Sequence, residues 1–395
     1  MERITKREFE KRIQRIRKDL ETSDSDVFVI YGDEYRRENL RYVSNYWPIF
    51  DRGMLVLGRE NEPILLVAPE GESLAREMSI WQHIRIVAEV EPSYIPDKID
   101  YSSANYSKLA DVLREAAGSH RTKRMKVCGL DAMPLVTYQA LESAWPSGEI
   151  LNGDPDIYRL RLFKSCEEME MLRRAWEICD AGYRAILEVD VVGLTEIQAA
   201  SIGEKAARDA GAEGIVFSIF GSGQRTDTAV GRPTQKVICA GDMIMSALAI
   251  QYEGYIASDE WPFVAGGKPS KAQSEMIMHI VKAEQSGLDC LRSGAVAGEV
   301  VGIVLGYFQA HGLANYHIYP PIHGNGLAEA ESPYPDIRSA YAFEPGMGIN
   351  FDVNLFKVPG LGSNRIEEGF VIADDGVIVL SRLISSLREE YLARS

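Results

Sequence analysis

The hydrophobic and polar positions divide the chain into a strand-rich first part and a second part that mixes helices with strands. From about residue 27, short apolar runs rich in β-branched residues are cut by Gly, Pro and Asn, which predicts strands. The amphipathic stretch "YSKLADVLREAA" predicts a helix, and "KVCGLD" closes the pattern. We expect an α/β domain over roughly the first 150 residues.

The second part begins with turn residues and a long helix. In "NGDPDIYRLRLFKSCEEMEMLRRAWEICDAGYRAILEVD", Ser165 and Glu168 fit a capping box ahead of helically spaced apolar positions. Helices and antiparallel strands then alternate, which predicts an α+β domain. The expected domains are residues 1–155 and 156–395, with the boundary near residues 152–160.

Composition narrows the class of protein. The 395 residues are 46% hydrophobic and 26% charged, which is typical of a globular chain with two domains. No apolar run approaches the roughly 18 residues of a membrane span, and the charged first helix lacks a signal core, so we expect a cytoplasmic protein without a membrane partner. A net charge of -15 argues against nucleic acid as a partner. Five widely spaced cysteines without a CxxC motif argue against a disulfide framework or a zinc knuckle.

Polar residues in unusual contexts indicate a site. His323 lies in "PPIHGNGLAEAESP", where glycines allow the backbone to approach a ligand and Glu329 and Glu331 follow. Asp352 lies in the apolar run "INFDVNLF", where an unpaired carboxylate is costly. Glu367 in "RIEE" is a further candidate, although it could simply pair with the nearby arginine or with solvent.

The stretch "GDMIMSALAIQYEGYIASDEWPF", residues 241–263, predicts two strands joined at a turn. Three further segments follow this stretch along the chain, in the order "HGNGL", "EPGM" and "RIEE". With these four segments in this order, the chain resembles the family of creatinase, aminopeptidase P and methionine aminopeptidase. The resemblance covers nearly the whole chain. It implies a pita-bread fold for the C-terminal domain and a smaller α/β N-terminal domain.

The metal peptidases of this family hold two ions with five ligands. The resemblance places those ligands at Ala247, Ser258, His323, Asp352 and Glu367. Both aspartates of the family pattern are therefore missing, and Val230 and Ala330 stand where the family has two further histidines. Asp242 and Asp259 are close by, but strand alternation turns neighbouring side chains to opposite faces. We therefore expect no metal ion and no cofactor.

The expected function is that of a metal-independent hydrolase that cleaves a non-peptide carbon–nitrogen bond in a small zwitterionic amidino or guanidino compound. The resemblance is then nearest to the metal-free creatinase and ectoine hydrolase branch. Glu260, Asp352 and Glu367 would hold the cationic group of the substrate. His323 would transfer protons, or Glu260 would attack as nucleophile.

Further residues are expected on the substrate side. "FDRGMLV" resembles the creatinase segment at the substrate carboxylate and nominates Phe50 and Arg52, reaching across from a partner subunit. Tyr319 could point its hydroxyl into the pocket, and Glu331 is a further candidate for binding substrate. The resemblance thus implies a homodimer with the site near the subunit interface.

Three alternatives remain open at this stage. The first is a metallopeptidase like Xaa-Pro aminopeptidases or dipeptidases, which predicts bound metal. The second is a non-catalytic pita-bread protein that binds a partner, which the lost aspartates favour. The third is a lyase acting on a small sulfonium zwitterion, because the same carboxylates could bind a sulfonium cation as well as an amidinium or guanidinium cation.

Overall fold

The computed structural model describes residues 3–92, 95, 99–120 and 123–394. The chain separates into two compact units, one of Ile4–Arg161 and one that holds Arg3 and the residues from Leu162 onward. The exact domain bounds given above stay a prediction. No helix in the described ranges has the length and apolar character needed to cross a membrane.

The first unit contains a mixed sheet of six strands in the order β4-β3-β2-β1-β5-β6. The strands are β1 Val27–Asp33, β2 Arg52–Gly58, β3 Ile64–Val67, β4 Ile84–Ile86, β5 Arg124–Cys128 and β6 Glu149–Asn152. The helices are α1 Lys6–Thr22, α2 Glu38–Ser44, α3 Glu72–Met78, α4 Leu109–Ala117, α5 Leu135–Ala144 and α6 Asp154–Leu162, with a short 3₁₀ turn at Ala88–Val90.

Helix α4 forms where the amphipathic pattern predicts it. Leu109, Val112, Leu113 and Ala116 follow the i, i+3, i+4, i+7 spacing of one helical face, and all four are buried in the core of this unit. They pack against the apolar residues of the sheet, whose central strand β1 is buried along its whole length. The periodicity of the sequence therefore explains which face of α4 meets the sheet.

The second unit contains a sheet of eight strands whose main path is β10-β8-β9-β13-β12-β11, with β7 on β8 and β14 on β13. The strands are β7 Gly214–Ser222, β8 Met243–Tyr252, β9 Tyr255–Glu260, β10 Phe263–Val264, β11 Ile322–Gly324, β12 Gly348–Val358, β13 Gly362–Ala373 and β14 Gly376–Val379. The helices are α7 Cys166–Leu187, α8 Glu196–Ala210, α9 Lys271–Leu288, α10 Ala297–Ala310 and α11 Arg382–Leu392, with 3₁₀ turns at Gly223–Thr228 and Ala314–Tyr316.

The hairpin of β8 and β9 has a two-residue turn. Glu253 and Gly254 both have positive φ, at 46° and 90°, as the tightest hairpin turns require. The turn makes Tyr252 and Tyr255 partners and thereby fixes every pair further along. Because side chains alternate, a slip of one residue would move all of them to the other face of the sheet.

Helix α7 covers one face of this sheet. The predicted capping box is confirmed: the Ser165 hydroxyl accepts from the Glu168 backbone at 3.3 Å, and the Glu168 carboxylate accepts from the Ser165 backbone at 3.0 Å. Gly182 of α7 lies against Leu248 of β8, where an added Cβ would meet the Leu248 side chain at 2.7 Å. One face of the sheet therefore packs against α7, and the other face carries the polar side chains of the site.

Candidate active site

Four adjacent strands place side chains in one row across the polar face. Asp352 of β12 lies opposite Glu367 of β13, and Glu367 lies opposite Glu260 of β9. Glu260 in turn faces Ala247 of β8. His323 comes from β11, the strand beyond β12. Residues that are far apart in the sequence are thus brought together by the strand register.

Hydrogen bonds orient the imidazole of His323. Its Nε2 lies 3.3 Å from Oε1 of Glu367, which also accepts a bond of 2.6 Å from the side-chain amide of Asn350. Its Nδ1 lies 3.0 Å from the carbonyl oxygen of Gly324. Because a carbonyl can only accept, Nδ1 carries the proton of that bond. Nε2 therefore faces the carboxylates, as in an imidazole oriented to bind a cation.

A buried guanidinium lies at the centre of the site. Nε of Arg365 contacts Oε2 of Glu260, and Nη1 donates a bond of 3.0 Å to the hydroxyl of Tyr319. The Tyr319 hydroxyl donates to Asp352 at 2.9 Å, and Nη1 of Arg365 lies 3.9 Å from the other Asp352 oxygen. Because a buried carboxylate is costly without a cation, Arg365 is the partner that allows Glu260 to be buried here.

The site carries an excess of negative charge. Burial raises the pKa of Asp352 to about 6, although the charge of Arg365 opposes this shift. Burial, together with the charge of Glu367, raises the pKa of Glu329 to about 7. Burial lowers the pKa of His323, but the hydrogen bond to Glu367 outweighs it and raises the pKa to about 10. Carboxylates with raised pKa values around a protonated imidazole indicate a site that favours added positive charge.

The β8 side of the row is apolar. The methyl group of Ala247 packs in a small cluster with Ile219, Met245 and Phe356. The hydroxyl of Ser258 makes no hydrogen bond within the described residues. These two positions therefore offer no anionic oxygen to a metal ion.

The residues present can hold one of the two metal ions that the family resemblance implies. His323, Asp352 and Glu367 each offer one ligand atom, and these atoms lie within 4.8 Å of one another. An imidazole and two carboxylates suit zinc, manganese or iron, and catalytic zinc sites commonly use three protein ligands with one open position. The residues therefore fit one ion, whereas Ala247 and Ser258 do not fit a second.

A cavity of about 360 Å³ opens onto these residues. His323, Asp352 and Arg365 lie at its polar wall, and Glu329 and Arg232 contribute an acidic and a basic group. Its lining also includes Phe217, Val230, Ala330 and Tyr334. The two positions at which the family has further histidines, Val230 and Ala330, thus border the same cavity.

Other candidates from the sequence have partners elsewhere. The carboxylate of Glu331 is held by Lys164 at 2.8 Å and by the backbone of Ala328 at 3.3 Å. In the first unit, Arg52 begins β2 and donates to the carbonyl of Glu91 at 3.0 Å, and Phe50 is partly exposed just before that strand. Substrate binding by Glu331, Phe50 and Arg52 stays a prediction.

The two nearby aspartates point away, as strand alternation predicts. Asp242 precedes β8 and pairs with Lys236 at 2.7 Å. Asp259 lies opposite Leu248, and its carboxylate accepts from Ser381 at 2.8 Å at the start of α11. Neither residue replaces the missing ligands.

The orientation of Asp259 into the core can be tested by the pH dependence of the protein's stability. Burial, and next the charge of Asp180, raise the pKa of Asp259 well above its usual 3.8. The folded state therefore keeps a proton that the unfolded state loses, and this group makes stability fall as pH rises from about 4. We expect Asp259→Asn to remove that fall, so that its melting temperature relative to wild type increases steadily from pH 5 to pH 8.

The exposed Asp375 is a matched control, because Asp375→Asn changes the same group outside the core. Its melting temperature should follow wild type across the pH range. If Asp259→Asn shifted the melting temperature equally at every pH, a raised pKa of Asp259 would be excluded.

Comparison with known proteins identifies the family. The profile of metallopeptidase family M24 matches residues 170–374, and that of the creatinase/prolidase N-terminal domain matches residues 12–163. The chain therefore belongs to metallopeptidase family M24. The predicted pita-bread fold with a creatinase-type N-terminal domain is confirmed.

Curated relatives are named as peptidases. An uncharacterized peptidase of Bacillus subtilis, YqhT, is 30% identical over 247 residues, which cover 62% of this chain and 69% of that protein. The Xaa-Pro dipeptidase of Pyrococcus furiosus is 29% identical over 237 residues, which cover 60% of this chain and 67% of that protein.

Solved structures share the fold over nearly the full length. The prolidase from Pyrococcus horikoshii OT3 aligns with a TM-score of 0.80 at 21% identity and covers 94% of this chain and 98% of its own. The X-Pro aminopeptidase from Thermotoga maritima MSB8 aligns with a TM-score of 0.79 at 21% identity, covering 93% and 97%. At these identities the likeness concerns the fold.

The expected metal-independent amidino or guanidino hydrolase is wrong. The matching relatives are peptidases and Xaa-Pro dipeptidases, and the family is one of metallopeptidases, not the metal-free creatinase or ectoine hydrolase branch. The prediction rested on a site emptied of cations. In the structure a cation is already present, because Arg365 lies against Glu260, the residue expected to hold a cationic substrate.

Proposed function

We propose that the chain is a metal-dependent hydrolase of short peptides. The observation that carries the proposal is the cluster of His323, Asp352 and Glu367, whose ligand atoms lie within 4.8 Å of one another in a chain of metallopeptidase family M24. Because several relatives are named Xaa-Pro dipeptidases, dipeptides with proline at the second position are the first substrates to test.

The neighbours of these three residues would hold them in place. Asn350 donates to Glu367, and Tyr319 donates to Asp352, so each carboxylate has one oxygen fixed by a hydrogen bond. Such outer contacts orient ligands and raise metal affinity. When bound, the ion would polarise the scissile carbonyl and activate a water molecule.

The cavity walls suit the two ends of a dipeptide. The exposed guanidinium of Arg232 can bind the terminal carboxylate, and the carboxylate of Glu329 can bind the terminal ammonium. Phe217, Val230 and Tyr334 give apolar surface for the side chains between them. A cavity of about 360 Å³ with charges on its walls favours small zwitterionic peptides over long ones. A homodimer and a cytoplasmic location stay predictions.

The test is hydrolysis of a dipeptide panel by protein stripped with chelator and reloaded with Mn²⁺, Co²⁺ or Zn²⁺. We expect release of free amino acids from Xaa-Pro dipeptides that is lost on chelation and restored by the ion. The same panel without proline reports the specificity. Protein that holds an ion but hydrolyses no dipeptide would contradict the proposal.

A second candidate is a protein that binds a peptide without cleaving it. The apolar positions Ala247, Val230 and Ala330 favour it, because each stands where the metal peptidases of the family have a ligand or a histidine. It predicts saturable dipeptide binding by calorimetry together with unchanged peptide after prolonged incubation with every metal ion. Any metal-dependent turnover above that of the Glu367→Gln protein would contradict it.

A further inference from the structure

We propose that His279 and His311 form a separate site for a transition-metal ion, between helices α9 and α10. The site takes Zn²⁺, Ni²⁺ or Cu²⁺ in preference to Mn²⁺. Neither histidine lines the cavity of the candidate active site. The inference therefore does not rest on the proposed function, and it assigns a metal site to a different part of the second unit.

The first observation is the spacing of the two imidazole rings. His279 lies within α9, and His311 directly follows the last residue of α10. Their ring centroids are 5.1 Å apart, and the ring planes are inclined by 57°. A tetrahedral ion that binds two imidazole nitrogens at about 2.0–2.1 Å places the two ring centroids about 5 Å apart. The two rings therefore already have the separation that one shared ion requires.

Tyr307 of α10 contacts one nitrogen of each ring. Nδ1 of His311 lies 2.8 Å from the backbone carbonyl of Tyr307, and Nδ1 of His279 lies 3.2 Å from the Tyr307 hydroxyl. Because a carbonyl can only accept, Nδ1 of His311 carries the proton and its Nε2 keeps the lone pair. The hydroxyl can accept from Nδ1 of His279 in the same way. Histidines that bind metal ions are commonly held by such a contact at the other nitrogen.

The Nε2 atoms of both histidines remain available to an ion. Within the described ranges, neither Nε2 makes a hydrogen bond or an ion pair. His311 is exposed and His279 is partly exposed, so an ion and its water ligands can reach both rings. The ring of Tyr307 stacks on His311 with 4.2 Å between centroids, which restricts the movement of the exposed imidazole. The pair is therefore accessible and partly preorganised.

The charges around His279 permit a cation to bind. Burial, and next the charge of His311, lower the pKa of His279 below its usual 6.5. A proton therefore competes only weakly for this imidazole at neutral pH. Two charged side chains of α9 act on it in opposite directions: Glu275 favours a positive charge and Lys282 opposes it. Because these two charges oppose each other, the imidazole nitrogens are the main source of metal affinity.

The ligand set selects the kind of ion. Imidazole suits zinc, copper and nickel, whereas manganese prefers carboxylate and water oxygens. In the part of the chain that the structure describes, three metal-binding side chains converge only at His323, Asp352 and Glu367. Water must therefore complete the coordination at the histidine pair. We expect this pair to bind Zn²⁺ and not Mn²⁺, whereas the acidic active site suits both ions.

The experiment compares metal content between variants, so it depends neither on activity nor on the number of ions in the active site. Wild type, His279→Ala and His311→Ala are stripped with chelator and dialysed to equilibrium against Zn²⁺ or Mn²⁺, and bound metal is counted by elemental analysis. We expect each variant to bind one Zn²⁺ per chain fewer than wild type and the same amount of Mn²⁺. His83→Ala is the matched control, because it removes a partly buried histidine of the first unit, and it should keep the wild-type content of both ions.

Calorimetry with Zn²⁺ on the Glu367→Gln protein gives the affinity of the pair, because that variant is expected to weaken binding at the active site. We expect one Zn²⁺ per chain, bound about 100-fold more tightly than after His311→Ala is added, since the second imidazole binds an ion already held by the first. Cu²⁺ gives a spectroscopic readout. Its EPR spectrum should show hyperfine splitting from two imidazole nitrogens with the pair intact and from one after His311→Ala.

Equal Zn²⁺ content in wild type and both histidine variants would overturn the inference. Loss of Zn²⁺ in only one of the two variants would exclude an ion shared by the pair. Loss of one Mn²⁺ together with one Zn²⁺ would contradict the selection by imidazole. The proposed function fails separately, because absence of dipeptide hydrolysis leaves the histidine site intact and equal Zn²⁺ content leaves hydrolysis intact.

Discussion

Glu367→Gln should weaken Mn²⁺ binding by at least about 100-fold and abolish metal-dependent hydrolysis. Glu367 lies between Asp352 and Glu260 in the row, is fully buried, and contacts the imidazole of His323 at 3.3 Å. Even loss of an outer contact to a ligand commonly costs 10- to 100-fold in affinity, so loss of an anionic ligand should cost more. Calorimetry gives the affinity, and the dipeptide assay gives the rate.

Glu368→Gln is the matched control. Glu368 is the next residue on β13, and because side chains alternate it lies on the opposite face, where its carboxylate contacts Arg388 at 2.6 Å. This variant should keep the wild-type metal affinity. If Glu367→Gln bound Mn²⁺ as tightly as wild type, the cluster would not be the metal site.

Local features of the structure could be predicted from the sequence. The capping box at Ser165 is set by residues three positions apart, and the hairpin of β8 and β9 is set by the turn at Glu253 and Gly254. Strand alternation alone placed Asp259 on the face away from the site. These features depend on neighbours in the sequence, so a single chain contains their signal.

The pairing of Arg365 could not be predicted in the same way. In the sequence, Arg365 is two residues from Glu367, and this spacing suggests an ion pair between the two. In the structure the Glu367–Glu260 register brings Arg365 beside Glu260 instead. That register depends on how β13 meets β9, which the sequence pattern does not contain.

The wrong prediction of a metal-free enzyme has a physical cause. Counting lost ligands at Ala247 and Ser258 says what one side of the row lacks. It does not say whether the side chains of His323, Asp352 and Glu367 still converge. Their ligand atoms lie within 4.8 Å of one another because of how the sheet folds. The same count could not show that a guanidinium fills part of the site.

Arg232 was also missed from the sequence, because an exposed arginine in a loop has no distinctive pattern. Two hydrogen bonds hold the backbone of this loop: the Gly231 carbonyl accepts from the backbone N–H of Phe220 at 3.2 Å, and the Arg232 carbonyl accepts from the guanidinium of Arg225 at 2.9 Å. These contacts keep the Arg232 side chain at the wall of the cavity. Its position gives the second large effect that we expect.

Arg232→Ala should raise the KM for a good dipeptide by about 10- to 100-fold with little change in kcat. A hydrogen bond to a charged group contributes about 1.5–3 kcal/mol, and 1.4 kcal/mol corresponds to a factor of ten. The same dipeptide with a C-terminal amide should have a raised KM in wild type and lose nothing further in the variant, because the missing carboxylate is the partner of Arg232.

Arg232→Lys should restore part of the affinity, since it keeps the charge without the planar fork of the guanidinium. Arg292 is a matched control, because it is an exposed arginine that does not line the cavity, and Arg292→Ala should leave both KM values unchanged. If Arg232→Ala raised the KM for the acid and the amide equally, Arg232 would shape the cavity without binding the carboxylate. The ratio of the two KM values therefore separates a charge contact from loss of packing at the wall.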